Sequence, residues 1–148
     1  MNTFFRSFTL FFILILAVGT ATAEGIGKVK VLSGSVSIER SGDSVLAKLG
    51  APVYQTDKII TGEGSIGLLF NDDSRISAGP NSILSLDQFS FDAITHEGNF
   101  DVSVNEGTLS VISGKLTAKR PGALKVKTPA AILAVRGTEF SIKVEAPQ

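Results

Sequence analysis

The sequence predicts an all-β single domain of short, mostly antiparallel strands, arranged as a sandwich or a roll with β-corners. Apolar residues alternate with polar ones in several separate segments, the spacing of a strand with one face in a core. Turns rich in glycine, asparagine and proline separate these segments by roughly 8–12 residues, as in all-β folds. No segment carries a sustained helical stripe, and the best helix candidate is the small-residue run 129–135.

The alternating segments give the expected strands in chain order. They are Val29–Val31, Val36–Ile38, Ile66–Phe70, Phe100–Val104 and Phe140–Val144. Turns are expected at 41–43, 62–64, 71–73, 79–81 and 121–122, where the residue types favour tight turns. No linker or block of like charge divides the chain after Glu24, so we expect one domain over 24–148.

Two decapeptides echo each other, VKVLSGSVSI at 29–38 and LSVISGKLTA at 109–118. In both, the apolar positions change from odd to even numbers across a glycine, Gly34 or Gly114. Side chains alternate faces along a strand, so this change requires a bulge or a corner, which glycine accommodates. The echo predicts two β-corners, with chance similarity between two strand-rich segments as the alternative.

Residues 1–23 have the pattern of a signal peptide. Arg6 precedes the apolar run Phe8–Val18, which is shorter than the roughly 20 residues of a membrane span. Ala21-Thr22-Ala23 then matches a signal-peptidase site, and an uncleaved anchor is the alternative. The chain has no cysteine, hence no lipobox, disulfide or thiolate metal site. We expect a periplasmic or secreted protein without a stable membrane anchor after cleavage.

Charge and motifs exclude several classes of function. Acidic and basic residues number 14 each, and loss of Arg6 with the signal peptide leaves a slight acidic excess. This balance does not favour nucleic acid as a partner. The single histidine, His96, excludes two-histidine metal sites, and no nucleophile elbow or phosphate loop is present. The sequence therefore predicts a non-enzymatic protein without cofactor or metal.

Several polar and aromatic residues have two interpretations. The segment 71–74 faintly resembles a calcium loop, but a polar hairpin turn is favoured because Arg75 and Ile76 occupy ligand and glycine positions. Phe89 and Phe91 share one strand face, either as core residues or as an exposed contact patch. Such a patch, or an exposed Tyr54, would favour a carbohydrate-binding or cell-wall-binding module.

Arg136 interrupts an apolar run and is followed by Gly137. An unbroken strand register places its side chain inward between Ala134 and Thr138. A buried guanidinium needs carboxylate partners, and Asp57, Asp72 and Asp73 are the candidates. The slightly favoured prediction is therefore a buried strut. The alternative is a bulge at Gly137 that turns Arg136 to solvent, with Leu133 and Val135 inward.

The segment containing Arg136 carries a family resemblance. VKTPAAILAVRGTEF, residues 126–140, resembles the closing motif of the FecR domain family, V-x-T-P-x-A-x-x-x-V-R-G-T-x-F. The motif positions are Thr128, Pro129, Arg136, Gly137, Thr138 and Phe140. Upstream, 27–38 resembles the family's opening strand pair, and 49–53 followed by Asp57–Thr61 resembles its G-x-x-L-x-x-G-D-x-I-x-T element. Segments 65–86 and 105–109 resemble its apolar strand with the G-P-N-S segment and its E-G-x-L element.

Two positions depart from the family pattern. Thr56 stands where a glycine precedes Asp57, and Asp73 replaces the glycine of a D-G-S turn. Asp tolerates the left-handed conformation, so the second turn is expected to survive, whereas Thr56 is expected to need a different backbone.

The resemblance implies a non-enzymatic extracytoplasmic module that relays signals in its best-known members. The cytoplasmic anti-sigma segment and transmembrane helix of those members are not found in this sequence, so only the module is expected here. We expect it to bind another envelope protein or to sense a signal, with a carbohydrate-binding module as the alternative.

Overall fold

The computed structural model describes residue 19 and residues 21–137 and 139–148, so the predicted signal peptide lies almost wholly outside the described residues. The all-β prediction is confirmed. In chain order the strands are β1 Gly27–Ser33, β2 Ser37–Arg40, β3 Asp43–Leu46, β4 Pro52–Val53, β5 Lys58–Ile60, β6 Ser65–Phe70, β7 Arg75–Ala78, β8 Ile83–Phe91, β9 Gly98–Ile112, β10 Leu124–Lys127, β11 Ile132–Ala134 and β12 Glu139–Val144. One short helix, α1 Lys115–Lys119, precedes β10. No helix among the described residues is long and apolar enough to cross a membrane.

The strands form one curled sheet whose two halves share β9. One half runs β4-β1-β6-β7-β9-β12, and the other runs β3-β2-β5-β8-β9-β10-β11. The first half of β9 pairs with β8 and β10, whereas its second half pairs with β7 and β12. All described pairings are antiparallel except that of β9 with β10. The alternating apolar residues face inward and form one buried cluster.

The corner predicted at Gly34 is present, with a different origin for the change of face. Gly34 has φ +67 and lies where the chain leaves β1 for β2 in the other half of the sheet. The face changes earlier, at a bulge between Val29 and Val31. Val29 is therefore fully buried while Val31 is 62% exposed, because the extra residue of a bulge reverses the side-chain alternation.

The corner predicted at Gly114 is wrong, and so is the helix candidate 129–135. Gly114 precedes α1, and 132–134 form β11. A Cβ at Gly114 would lie 2.2 Å from the Asp72 carbonyl oxygen, so α1 packs directly on the β6–β7 turn. Apolar periodicity does not distinguish a short helix from a strand after Gly114, because either element would bury Leu116.

Candidate functional site

Residues 126–140, here called the signature segment, include a tight hairpin turn between β10 and β11. The Thr128 N–H donates to the Ala131 carbonyl at 2.8 Å. The Thr128 hydroxyl accepts the N–H groups of Ala130 and Ala131 at 3.3 and 3.1 Å. Pro129 takes the first central position of the turn, which its fixed φ suits. Thr128 and Pro129 are thus explained by turn geometry.

The buried strut predicted for Arg136 is wrong. Arg136 is exposed, and the inward residue is its neighbour Val135, which is 4% exposed. Gly137 has φ +108, as the bulge alternative required, and its carbonyl accepts the Ser113 hydroxyl at 2.6 Å. That alternative also placed Leu133 inward, but Leu133 is 39% exposed. Thr138 lies outside the described residues, and Phe140 is half-buried against the core.

An ion pair joins the partly exposed Arg40 to the buried Asp57. Nε and Nη2 of Arg40 donate to Oδ1 and Oδ2 of Asp57 at 2.8 and 2.7 Å, and the Tyr54 N–H donates to Oδ2 at 2.9 Å. The hydrogen bond with Asp57 raises the pKa of Arg40, against the opposing effect of burial. Arg40 lies at the end of β2, beside a hairpin turn, and sequence reasoning gave no reason to single it out. The sequence predicts Asp57 as a candidate partner of Arg136, whereas the structure pairs it with Arg40.

The other two candidate partners of Arg136 are also engaged elsewhere. Asp72 is buried and accepts the Ser74 hydroxyl at 2.5 Å, within the β6–β7 turn. Asp73 has φ +66 and pairs with Lys115 of α1 at 2.8 Å. This hydrogen bond lowers the pKa of Asp73. The polar hairpin interpretation of 71–74 is therefore confirmed, with Asp73 in the position of the family glycine.

Thr56 adopts a backbone conformation that favours glycine. Its φ is +72, in the left-handed region, and the Asp57 N–H donates to the Tyr54 carbonyl across the turn at 3.2 Å. The buried carboxylate of the next residue, Asp57, holds this turn in place through the Tyr54 N–H, and the turn keeps its strain at Thr56.

Tyr54, Phe89 and Phe91 do not form one exposed patch. The Arg40 guanidinium lies over the Tyr54 ring, 4.4 Å from its centroid. Phe89 packs edge-on against Phe100 at 5.0 Å, and Phe91 stacks on His96 at 5.9 Å between centroids. All three rings are only partly exposed. Phe89 and Phe91 pack against the core as partly buried residues, as the core interpretation of the pair expects.

His96 lies in a loop that Asp92 organises. Oδ1 of Asp92 accepts the N–H groups of Ile94 and Thr95 at 2.8 and 2.9 Å, and these bonds lower the pKa of Asp92. His96 itself has φ +60 and lines a shallow cavity of about 390 Å³ with Lys119 and Arg120. No group of three or more candidate ligands for a metal occurs in the described part of the chain.

The signature segment lines an open apolar cleft. The cleft has a volume of about 470 Å³ and lies between β11, with its preceding turn, and β12. Its walls include Pro129, Ala130, Leu133, Ile142 and Val144. Ile142 and Val144 also pack against the core. The cleft between the edge strands β11 and β12 therefore opens onto the edge of the core. The sequence did not predict this site, because the favoured assumption of an unbroken strand register places Leu133 and Arg136 on the wrong faces of the strand.

Comparison with known proteins gives a family. The chain matches the family model described as FecR protein over residues 57–148, which confirms the resemblance of the closing motif and leaves 27–38 and 49–53 outside the matched range. A solved structure named as a cell surface anchoring domain is 32% identical, over 41% of this chain and 83% of that chain, with a TM-score of 0.40. No curated protein matches the chain. The family match supports an envelope-associated, extracytoplasmic module.

Proposed function

Because the chain belongs to the FecR protein family, we propose that it is a non-enzymatic module that binds another protein of the cell envelope, in the periplasm or after secretion. The observation that carries the proposal is the position of the family's signature segment. It lies at the surface, where Ile132 is 67% and Leu133 39% exposed and Arg136 faces solvent. Exposed apolar residues beside a cleft are typical of interaction sites.

The roles of the buried polar groups support a binding module without catalysis. Asp57 holds the turn before β5, and the Thr61 hydroxyl donates to the Gly79 carbonyl at 2.8 Å. Asp72 holds the β6–β7 turn. Each of these groups stabilises a connection between strands, which is what a rigid scaffold for an interaction surface needs.

The test is capture of a partner from envelope extract by the chain 24–148, with quantitative mass spectrometry. We expect enrichment of one or a few envelope proteins, and loss of that enrichment when Ile132 and Arg136 are both replaced by aspartate. The matched control replaces Val45 and Arg75, which are exposed elsewhere on the sheet, by aspartate. Failure to enrich any protein above the level of an unrelated β-domain would contradict the proposed function.

A further inference from the structure

We propose that the free edge of β11, together with the cleft beside it, is a strand-docking site. Its occupant is an extended segment of the partner, apolar at alternate positions and acidic where it passes Arg136. This inference rests on the proposed function and names the chemistry of the partner.

The first step is the direction of the backbone groups of β11. The Thr128 N–H donates to the Ala131 carbonyl, and the Val135 N–H donates to the Leu124 carbonyl. In an antiparallel pair, alternate residues bond to the neighbouring strand. Residues 131, 133 and 135 therefore face β10, and the N–H and C=O groups of Ile132 and Ala134 point away from it. Among the described strands β11 pairs only with β10, so these groups are open to an added strand.

The second step is that β11 has none of the features that block strand addition. Charged residues and proline on an edge strand discourage pairing with another chain. The other edge strands of the described sheet all carry such residues: Asp43 in β3, Pro52 in β4, and Glu139 and Lys143 in β12. The three residues of β11 are Ile132, Leu133 and Ala134, without charge or proline. This edge is the one best suited to accept a strand.

The third step gives the side-chain pattern of the occupant. A strand added beside β11 continues the sheet, and its alternate side chains lie on the same face as Leu133. Leu133 faces the cleft that Ile142 and Val144 line from the other side. Apolar side chains at alternate positions of the occupant would fill this cleft and cover the exposed core edge. The fit requires the period-two pattern of a strand.

The fourth step is charge complementarity at the Arg136 end of β11. Arg136 is exposed, and so is Lys125, which lies opposite Ala134 on β10. Lys127 is neutralised by Asp101 at 3.2 Å, whereas neither Arg136 nor Lys125 has an ion-pair partner among the described residues. Two uncompensated cations favour a carboxylate on the strand that passes them. Lys143 and Glu145, at the other wall of the cleft, balance each other in charge.

A second copy of this chain fits the site less well. In a symmetric antiparallel pair of β11 strands centred on Leu133, Ile132 lies opposite Ala134. Extending that register places the uncharged Ala130 opposite Arg136. No carboxylate then reaches the cations, so a partner segment with acidic ends is the occupant that the charges favour.

The test uses synthetic peptides as probes with the chain 24–148. The first probe alternates threonine and valine over its centre and carries two glutamates at each end, so that either strand direction brings a carboxylate to Arg136. The second probe replaces the glutamates with lysines, and the third keeps the glutamates and places proline at the centre. Titrations are followed by fluorescence anisotropy at low ionic strength.

We expect the glutamate probe to bind at least about tenfold more tightly than either of the others. Ile132→Pro removes only an N–H that points away from β10, and Arg136→Glu reverses the local charge. Each is expected to weaken the glutamate probe about tenfold or more. Leu46→Pro in β3, whose N–H also points away from the neighbouring strand, and Lys30→Glu, an exposed cation on β1, are matched controls expected to leave binding unchanged.

Several results would overturn the inference. These are equal affinity for glutamate and lysine probes, no binding of the glutamate probe at millimolar concentration, or binding that survives both β11 variants. A dimer of the free chain that Ile132→Pro dissociates would identify a second copy as the occupant instead. If envelope capture enriches a partner that both variants still retain, the docking site is wrong while the proposed function stands.

Discussion

Replacing Arg40 by methionine removes the guanidinium that pairs with the buried Asp57 and leaves a side chain about as long as the aliphatic part of arginine. Two hydrogen bonds to the Asp57 carboxylate are lost, and a bond to a charged group contributes roughly 1.5–3 kcal/mol. The Arg40 side chain is 36% exposed while that of Asp57 is 0% exposed. Screening by solvent favours the lower figure for each bond, which gives a loss of about 3 kcal/mol in the free energy of unfolding.

The assay is equilibrium unfolding in urea of the chain 24–148. With a denaturant slope of about 2 kcal/mol/M, the midpoint should fall by about 1.5 M. The matched control is Arg136→Met, which should change the midpoint by less than about 0.3 M because the side chain is exposed. A large loss for Arg136→Met with little effect of Arg40→Met would refute the assignment and restore Arg136 as the strut.

Four further substitutions, one of them a matched control, test local features of the fold. Thr56→Gly should raise the urea midpoint by an amount equivalent to about 1 kcal/mol, because it relieves a β-branched residue at φ +72; a lower midpoint would contradict the strain. Gly107→Ala places a Cβ 2.2 Å from the Ser82 hydroxyl oxygen and should cost more than about 3 kcal/mol. Gly42→Ala, also at positive φ but with no atom within 4 Å, should cost only about 1 kcal/mol, so similar losses would show that contact is not the cause. Asp92→Asn should lower the free energy of unfolding at pH 6. This loss should shrink as the pH falls below 3.8, because folding lowers the pKa of Asp92 from that value. A loss of stability that does not change with pH would rule out the charge of Asp92 as its source.

The inward faces of the longer strands were predictable from the sequence because alternation reports directly on burial. Ile66, Leu68 and Phe70 are each 2% exposed, as their spacing requires. Alternation gives the wrong face of the strand for Val31, where a bulge intervenes, and for Arg136, which precedes the positive-φ Gly137. Parity counting assumes an unbroken register, and the residue that breaks the register has no distinct composition.

The ion pair could be predicted only in part. The sequence names Asp57 as one candidate carboxylate partner of Arg136, but its partner Arg40 is 17 positions away and reaches it through sheet pairing. Which strand lies beside which depends on the assembled fold. The short helix α1 was missed for a related reason, since its position depends on the close contact between Gly114 and the β6–β7 turn.

The residues of the signature segment have separate physical roles in this chain. Thr128 and Pro129 make the hairpin turn, Val135 anchors the segment in the core, and Gly137 turns the chain toward β12. These residues leave Ile132, Leu133 and Arg136 exposed at the cleft. The segment is therefore both a closing element of the fold and the proposed interaction surface.

The most direct test of this account is amide hydrogen exchange at β11, measured by NMR on the chain 24–148 with and without the glutamate probe. In the free protein, the amides of Leu133 and Val135 should be protected, while those of Ile132 and Ala134 exchange freely. The probe should protect Ile132 and Ala134 and leave the edge amides of β3 unchanged. Protection of Ile132 and Ala134 in the free protein, or binding of the probe without their protection, would contradict the account.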